Sequence, residues 1–202
     1  MFNIQYLLIS LPVILITISI HEFAHAKVAD MLGDPTPRLA GRLTLNPISH
    51  IDPIGFLMLL LFRFGWAKPV PINPYNFADS RRGSAVVGLA GPLSNFFTAW
   101  VLATAIKFLP FSAMGAGISD IILAVASYAI WINIALAVFN LIPIPPLDGS
   151  HILEAVLPAE QAASLQGMAP YGFMILVMIL LFGPTQDILA LIINSLYGLL
   201  LP

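Results

Sequence analysis

Cysteine is absent from the 202-residue chain. That excludes a disulfide framework, a thiolate metal site and a thiol nucleophile, so any metal must rest on His, Asp or Glu. Charge is nearly as scarce: 9% of residues are charged, against roughly 25% in an ordinary soluble domain. Eight basic and ten acidic side chains cannot cover a water-soluble globule of this size. A net charge of −2 gives no footing for a nucleic-acid partner. What the chain has in abundance is apolar side chains, 59% of the total. The expected class is an all-α polytopic membrane protein in contact with the lipid bilayer, with residues 1–202 forming a single membrane-embedded domain.

The apolar stretches set the expected spans. Phe2 to Ile20 is uncharged, has no basic residue before it and no small-x-small site after it, and its pattern continues to Met31. It reads as a first helix over residues 4–31 rather than a cleaved leader, ended by Gly33-Asp34-Pro35-Thr36-Pro37. Further long uncharged stretches run from Gly83 to Ile106, from Ile121 to Leu147 and from Gln161 to Gln186. The second must stop as a helix near Ile142, because Pro143, Pro145 and Pro146 cannot continue it. Ile188 to Leu201 is barely long enough to cross. The expectation is five or six membrane helices. Ile54 to Phe62 is apolar but too short for about 30 Å of hydrocarbon, so it is expected to be re-entrant or interfacial. Residues 38–46 mix polar and apolar side chains with a partial period of two, which predicts a small β-hairpin. Its free edge could hold an extended peptide by strand addition, or the hairpin could simply cap the membrane surface.

Three ionisable groups interrupt the first apolar helix, in His21-Glu22-Phe23-Ala24-His25. Each charge near a bilayer centre costs about 2.5–3.5 kcal/mol on insertion scales, so such groups point to function. Positions i and i+4 share a helix face, and both imidazoles can reach one ion. Glu22 is rotated by about 100° from His21 and can lie beside water at that ion. This is the H-E-x-x-H pattern of zinc hydrolases, in which Glu acts as general base. Two imidazoles do not complete a catalytic site, and a third protein ligand is needed.

Most acidic residues lie beside turns or at segment ends, where solvation explains them. Asp148 differs, because it follows the proline-broken end of a hydrophobic helix and precedes Gly149. Non-helical backbone at membrane depth is tolerated where it is buried in protein or lines a cavity. For Asp148 to meet the histidines at one depth, the helix before it must run parallel to the first. A single crossing between them, at 83–108, satisfies that condition, and a second crossing at 54–62 would violate it. With this topology seven of the eight basic residues share one side, with Lys107 opposite. By the positive-inside rule that side is the cytoplasm, so a multi-pass protein of the cell membrane with its active site toward the cytoplasm is expected. His50 and Asp52 suggest a second metal less well than a turn, given Asn46-Pro47 and Pro53 around them. Asn95 and Asn133 can hydrogen-bond between helices or support the site, and Gly88, Gly91 and Ser94 permit close packing.

The two motifs together resemble the site-2 proteases, intramembrane zinc metalloproteases. The resemblance rests on His21-Glu22-Phe23-Ala24-His25 and on Asn140, Pro143 and Leu147-Asp148-Gly149. Gly88-Leu89-Ala90-Gly91-Pro92-Leu93-Ser94-Asn95 is similar to the family's small-residue core segment, and Gly65 to Pro71 to a loop of its short bacterial members. It implies one zinc ion held by His21, His25 and Asp148, and Glu22 as the catalytic base. It implies a substrate-binding or oxyanion role for Asn140, whose alternative is a helix-end amide satisfying loop backbone. The implied form is short, lacking a PDZ-like insertion and a nucleotide-binding domain. The implied reaction is hydrolysis of a peptide bond in or near the membrane segment of a transmembrane protein or peptide. Two other functions compete: a non-catalytic membrane protein of the same fold that binds clients, and an ion transporter. The first has no need of Glu22, and the second lacks broken helices in repeated halves.

Overall fold

The computed structural model describes residues 4–62, 65–111, 114–182 and 184–201. Arg63, one of the basic residues placed on the cytoplasmic side, lies outside the described residues. The first helix, α1 (Ile4–Met31), covers the stretch expected for it. It ends at Gly33, whose φ of 102° lies in the left-handed region that a side chain rarely adopts. The following Asp34 is fully buried. Its carboxylate accepts from Thr36 N at 3.1 Å, Thr36 Oγ1 at 2.5 Å, Asn73 N at 2.7 Å and Asn76 Nδ2 at 2.7 Å. Burial works to raise this carboxyl, and the donors outweigh it, holding the group below its ordinary value. The end of α1 is thereby tied to the 73–76 segment.

A second long helix, α4 (Ser80–Lys107), starts where the Asp79 carboxylate caps Arg81 N and Arg82 N, both at 3.0 Å. It packs against α1, α5 (Ala116–Asn140) and α6 (Asp148–Val156). Its small residues Ala99 and Ala103 let it approach Ile130, Ile134 and Val138 of α5 closely. Ile193 of α9 (Thr185–Leu200) closes the same core. Helix α5 stops at Asn140, as the prolines require, and α6 starts against its end. A Cβ on Gly149 would lie 2.3 Å from the Leu141 carbonyl oxygen, so the approach demands glycine.

The shorter elements are α2 (Thr36–Leu39), α3 (Pro53–Phe62), α7 (Ala159–Gly167) and α8 (Ala169–Phe182). They correct two expectations. Among the described residues three helices are long and apolar enough to cross a membrane: Leu8–Met31, Ser80–Lys107 and Gly117–Asn140. A fourth span exists only if α7 and α8, bent by 72°, are counted together, so five or six spans do not fit. The reason is length. At 1.5 Å per residue, the 16 residues of α9 reach about 24 Å and the 14 of α8 about 21 Å.

The β-hairpin over 38–46 is also absent. The described residues contain no strand there or elsewhere, only an isolated bridge between Ile51 and Ala67. Pro37, at the start of α2, favours a helical turn, and Gly41 turns the chain with φ 67°. The alternation was misleading because it lines no common face: Leu39 and Leu45 are exposed, while Arg42 is buried. The free hairpin edge goes with it.

Candidate metal centre

His21 and His25 lie one turn apart on α1, and both are buried. Their Nε2 atoms are 3.0 Å apart. Asp148, the first residue of α6, brings Oδ2 to 3.1 Å from His21 Nε2 and 3.3 Å from His25 Nε2. The contact also fixes the helix directions. Thr17 of α1 bonds to Asn133 of α5, and further along both helices the histidines meet the acid that follows α5. Helices α1 and α5 therefore run parallel, with α4 between them along the chain.

The second nitrogen of each ring decides what the first can do. His21 Nδ1 lies 2.6 Å from Asn95 Oδ1, and His25 Nδ1 lies 2.7 Å from the Val87 carbonyl oxygen. Both oxygens only accept, so each Nδ1 carries the proton and donates it. The Asn95 amide is itself oriented: its Nδ2 donates to Asn133 Oδ1 at 2.9 Å and to the Thr17 carbonyl at 3.5 Å. Asn133 Nδ2 in turn donates to Thr17 Oγ1 at 3.0 Å and to the Ala129 carbonyl at 2.8 Å. This chain of donors fixes the tautomer of a ring at the far end, as outer partners of metal-binding histidines do.

Each Nε2 then presents a lone pair, and Asp148 Oδ2 is buried without a hydrogen-bond partner. Three electron-rich atoms facing one another at 3.0–3.3 Å repel unless something positive joins them. One proton could join one pair and would leave the third atom alone, whereas a divalent cation joins all three. Zinc bonds of about 2.0–2.2 Å in a tetrahedron separate ligand atoms by about 3.3–3.6 Å, close to the spacing here. The donor set fits zinc. A glycine makes room for the two rings: a Cβ on Gly91 would stand 2.4 Å from His25 Nε2 and 2.6 Å from His21 Nε2.

Glu22 faces the same cavity, of about 350 Å³, and stays outside the donor triangle. Its Oε2 accepts from Val70 N at 3.0 Å. Asn140, at the end of α5, lines the cavity too, with Nδ2 donating to the Leu136 carbonyl at 2.9 Å. One hydrogen of that amide and its oxygen remain for other partners. All five residues singled out by sequence, His21, Glu22, His25, Asn140 and Asp148, thus border one cavity. His50 and Asp52 form no second site. His50 Nε2 donates to the Thr44 carbonyl at 2.8 Å, and Asp52 Oδ1 caps Gly55 N at 2.8 Å.

The sequence reading missed the Val87 carbonyl and the Val70 amide, since a backbone group leaves no mark on residue type. It also missed His151, half-exposed at the cavity edge and three residues after Asp148. The spacing that places a helical residue beside Asp148 was the available signal.

Known proteins are similar to this chain in sequence. A model of Peptidase family M50 matches residues 109–183, which include Asn140 and Asp148. YwhC of Bacillus subtilis strain 168, named as a candidate zinc metalloprotease, is 38% identical over 182 residues, covering 86% of this chain and 79% of its own. Rip2 of Mycobacterium tuberculosis, named in the same way, is 30% identical, covering 86% of this chain and 66% of its own. MJ0611 of Methanocaldococcus jannaschii, also so named, is 28% identical, covering 76% of this chain and 73% of its own. No solved structure gives a significant match. A donor set suited to zinc on apolar spans, and a relative aligned over most of both lengths, lead to one conclusion: the chain belongs to peptidase family M50, the site-2 family of zinc metalloproteases.

Proposed function

We propose that this chain is an intramembrane protease, a single unit over residues 1–202 that hydrolyses a peptide bond in or near the membrane segment of a transmembrane protein or peptide. The observation that carries the reading is the convergence of two unprotonated imidazole nitrogens and one unpartnered carboxylate oxygen beside Glu22 in one cavity. His21, His25 and Asp148 would hold the ion. Bound zinc supplies a Lewis acid that polarises the scissile carbonyl and makes water nucleophilic near neutral pH.

The chain's own groups do the rest. Glu22, held through Oε2 by the Val70 amide, keeps Oε1 for the attacking water. It takes the water's proton and then delivers it to the departing amine nitrogen. The remaining amide hydrogen of Asn140 is available to the carbonyl oxygen as negative charge develops there. A helical substrate hides its carbonyls in its own hydrogen bonds and has to unwind before any of this can happen. An apolar cavity of about 450 Å³, bordered by Ile14 and Ile18 of α1 and by Trp131 and Phe139 of α5, offers its side chains a place to settle. Lys27, Arg38, Arg42, Lys68, Arg81 and Arg82 flank this end of the spans, which supports a multi-pass protein of the cell membrane with its site toward the cytoplasm.

Metal removal tests the reading. The full chain in proteoliposomes is expected to cleave a transmembrane peptide within or near its apolar stretch. A strong chelator should abolish cleavage, and about one equivalent of zinc should restore it. Cleavage that persists in the metal-free protein contradicts the reading.

A further inference from the structure

Arg42 is a cation in an unusual position. It is 5% exposed, its Nε is buried without a partner, and among the described residues no carboxylate lies within ion-pair distance of it. A buried charge in this state is costly unless something offsets it. Two contacts use its other end. Its Nη2 donates to the Lys68 carbonyl and lies 3.4 Å from His50 Nδ1. The His50 ring is oriented to accept there, because its Nε2 proton goes to the Thr44 carbonyl.

Those contacts grip a strap. Residues 66–71 pass between the two cavities, with Trp66 and Ala67 lining the apolar one and Pro69 and Val70 the metal one. The strap is pinned at its middle: Lys68 N donates to the His50 carbonyl at 2.9 Å, Ala67 pairs with Ile51, and the Lys68 carbonyl meets Arg42. Two residues on, the Val70 amide donates to Glu22 Oε2. Pro69 and Pro71 flank Val70, lack N–H groups and fix their own φ near −65°. The Val70 amide is therefore the single backbone donor between positions 69 and 71, carried on stiff backbone. Burial pushes the Arg42 guanidinium below its ordinary value, and the negative charge of Glu22 opposes that shift.

We propose that Arg42 is a positioning residue for Glu22: it clamps the 66–71 strap through the Lys68 carbonyl so that the Val70 amide fixes the carboxylate. This deepens the protease reading and rests on it. Arg42 touches neither the donor triangle nor the cavity, so its loss should leave zinc in place while Glu22 loses its bearing. The guanidinium's placement thus links a loop that carries no catalytic group to the base.

The test uses the full chain in bilayers and reads turnover, zinc content and amide exchange together. Arg42→Gln is expected to lower kcat about 10–100-fold, the range for partners that orient an active group. KM should change less than about threefold, and zinc should stay near one equivalent. The Val70 amide should exchange about tenfold faster as the strap loosens. Arg42→Lys, which keeps the charge, should recover part of the turnover. Glu22→Ala should expose the Val70 amide and leave Lys68 N protected, a readout that does not need folded Arg42 variants. Unchanged kcat and unchanged Val70 exchange in Arg42→Gln overturn the proposal, as does a protected Val70 amide in Glu22→Ala. If the zinc-loaded native chain cleaves no transmembrane peptide, the protease reading itself has failed, a result distinct from either of these, since amide exchange at Val70 reads the clamp without turnover.

Discussion

Replacing Glu22 by Gln should lower peptide cleavage by about 10²–10⁴-fold, the usual contribution of a positioned acid–base group, while zinc content and fold are retained. The separation follows from where Glu22 sits. It lies outside the donor triangle of His21, His25 and Asp148, so the ion loses no ligand. A Gln side chain has nearly the same volume, and its amide oxygen can still accept from the Val70 amide. What it cannot do is take a proton from water. Turnover of a transmembrane peptide and metal content, measured on the same preparation, check this. Native turnover in the variant would remove Glu22 from the mechanism, and parallel loss of zinc and turnover would make it a structural residue.

Gly91→Ala should weaken zinc binding by about 100-fold or more, although it removes no ligand and adds one methyl group. The geometry explains why so small a change matters. Val87, Gly91 and Asn95 follow one another at intervals of four on α4, so they share a face. The first supplies a carbonyl to His25, the last an amide oxygen to His21, and the glycine leaves the space that the two rings fill. A Cβ at 2.4–2.6 Å from both Nε2 atoms cannot coexist with the rings as placed. Either the imidazoles turn away and give up their Nδ1 partners, or α4 moves from α1. Overpacking of this kind costs about 1–3 kcal/mol in a well-packed interior, and misorientation of the ligands adds to it. Gly115→Ala is the control, since nothing lies within 4 Å of that position. Zinc affinity by chelator competition checks the pair. Equal affinities for both variants would mean that the rings do not rest against α4.

The legible and illegible parts of this protein divide along physical lines. His21, Glu22 and His25 stand out as candidates because ionisable groups in an apolar helix are costly and their spacing has a chemical meaning. Asp148 stands out in the sequence through the prolines that break the chain ahead of it, and the structure brings it against both histidines. The extent of α1 also followed from its apolar run. The hairpin expected at 38–46 fails because alternation alone does not say which side chains are buried, and burial there follows Arg42 rather than Leu39 and Leu45. The expected number of spans fails because apolar composition does not fix helix length, and α8 and α9 are short. Gly91 reads as a packing residue, and the structure shows that it packs against the rings of His21 and His25. The Val87 carbonyl and the Val70 amide could not be seen at all, since any residue but proline offers both backbone groups.

The central claim is that His21, His25 and Asp148 hold a zinc ion from one side and leave room for water and substrate on the other. Zinc-edge X-ray absorption on the purified chain in bilayers measures this directly. The account predicts a four-coordinate ion with two imidazole nitrogens at about 2.0–2.1 Å and oxygen ligands at about 2.0–2.2 Å. It also predicts that the imidazole signal is lost in a His21→Ala, His25→Ala variant. A zinc environment without imidazole, or one unchanged in that variant, would contradict it.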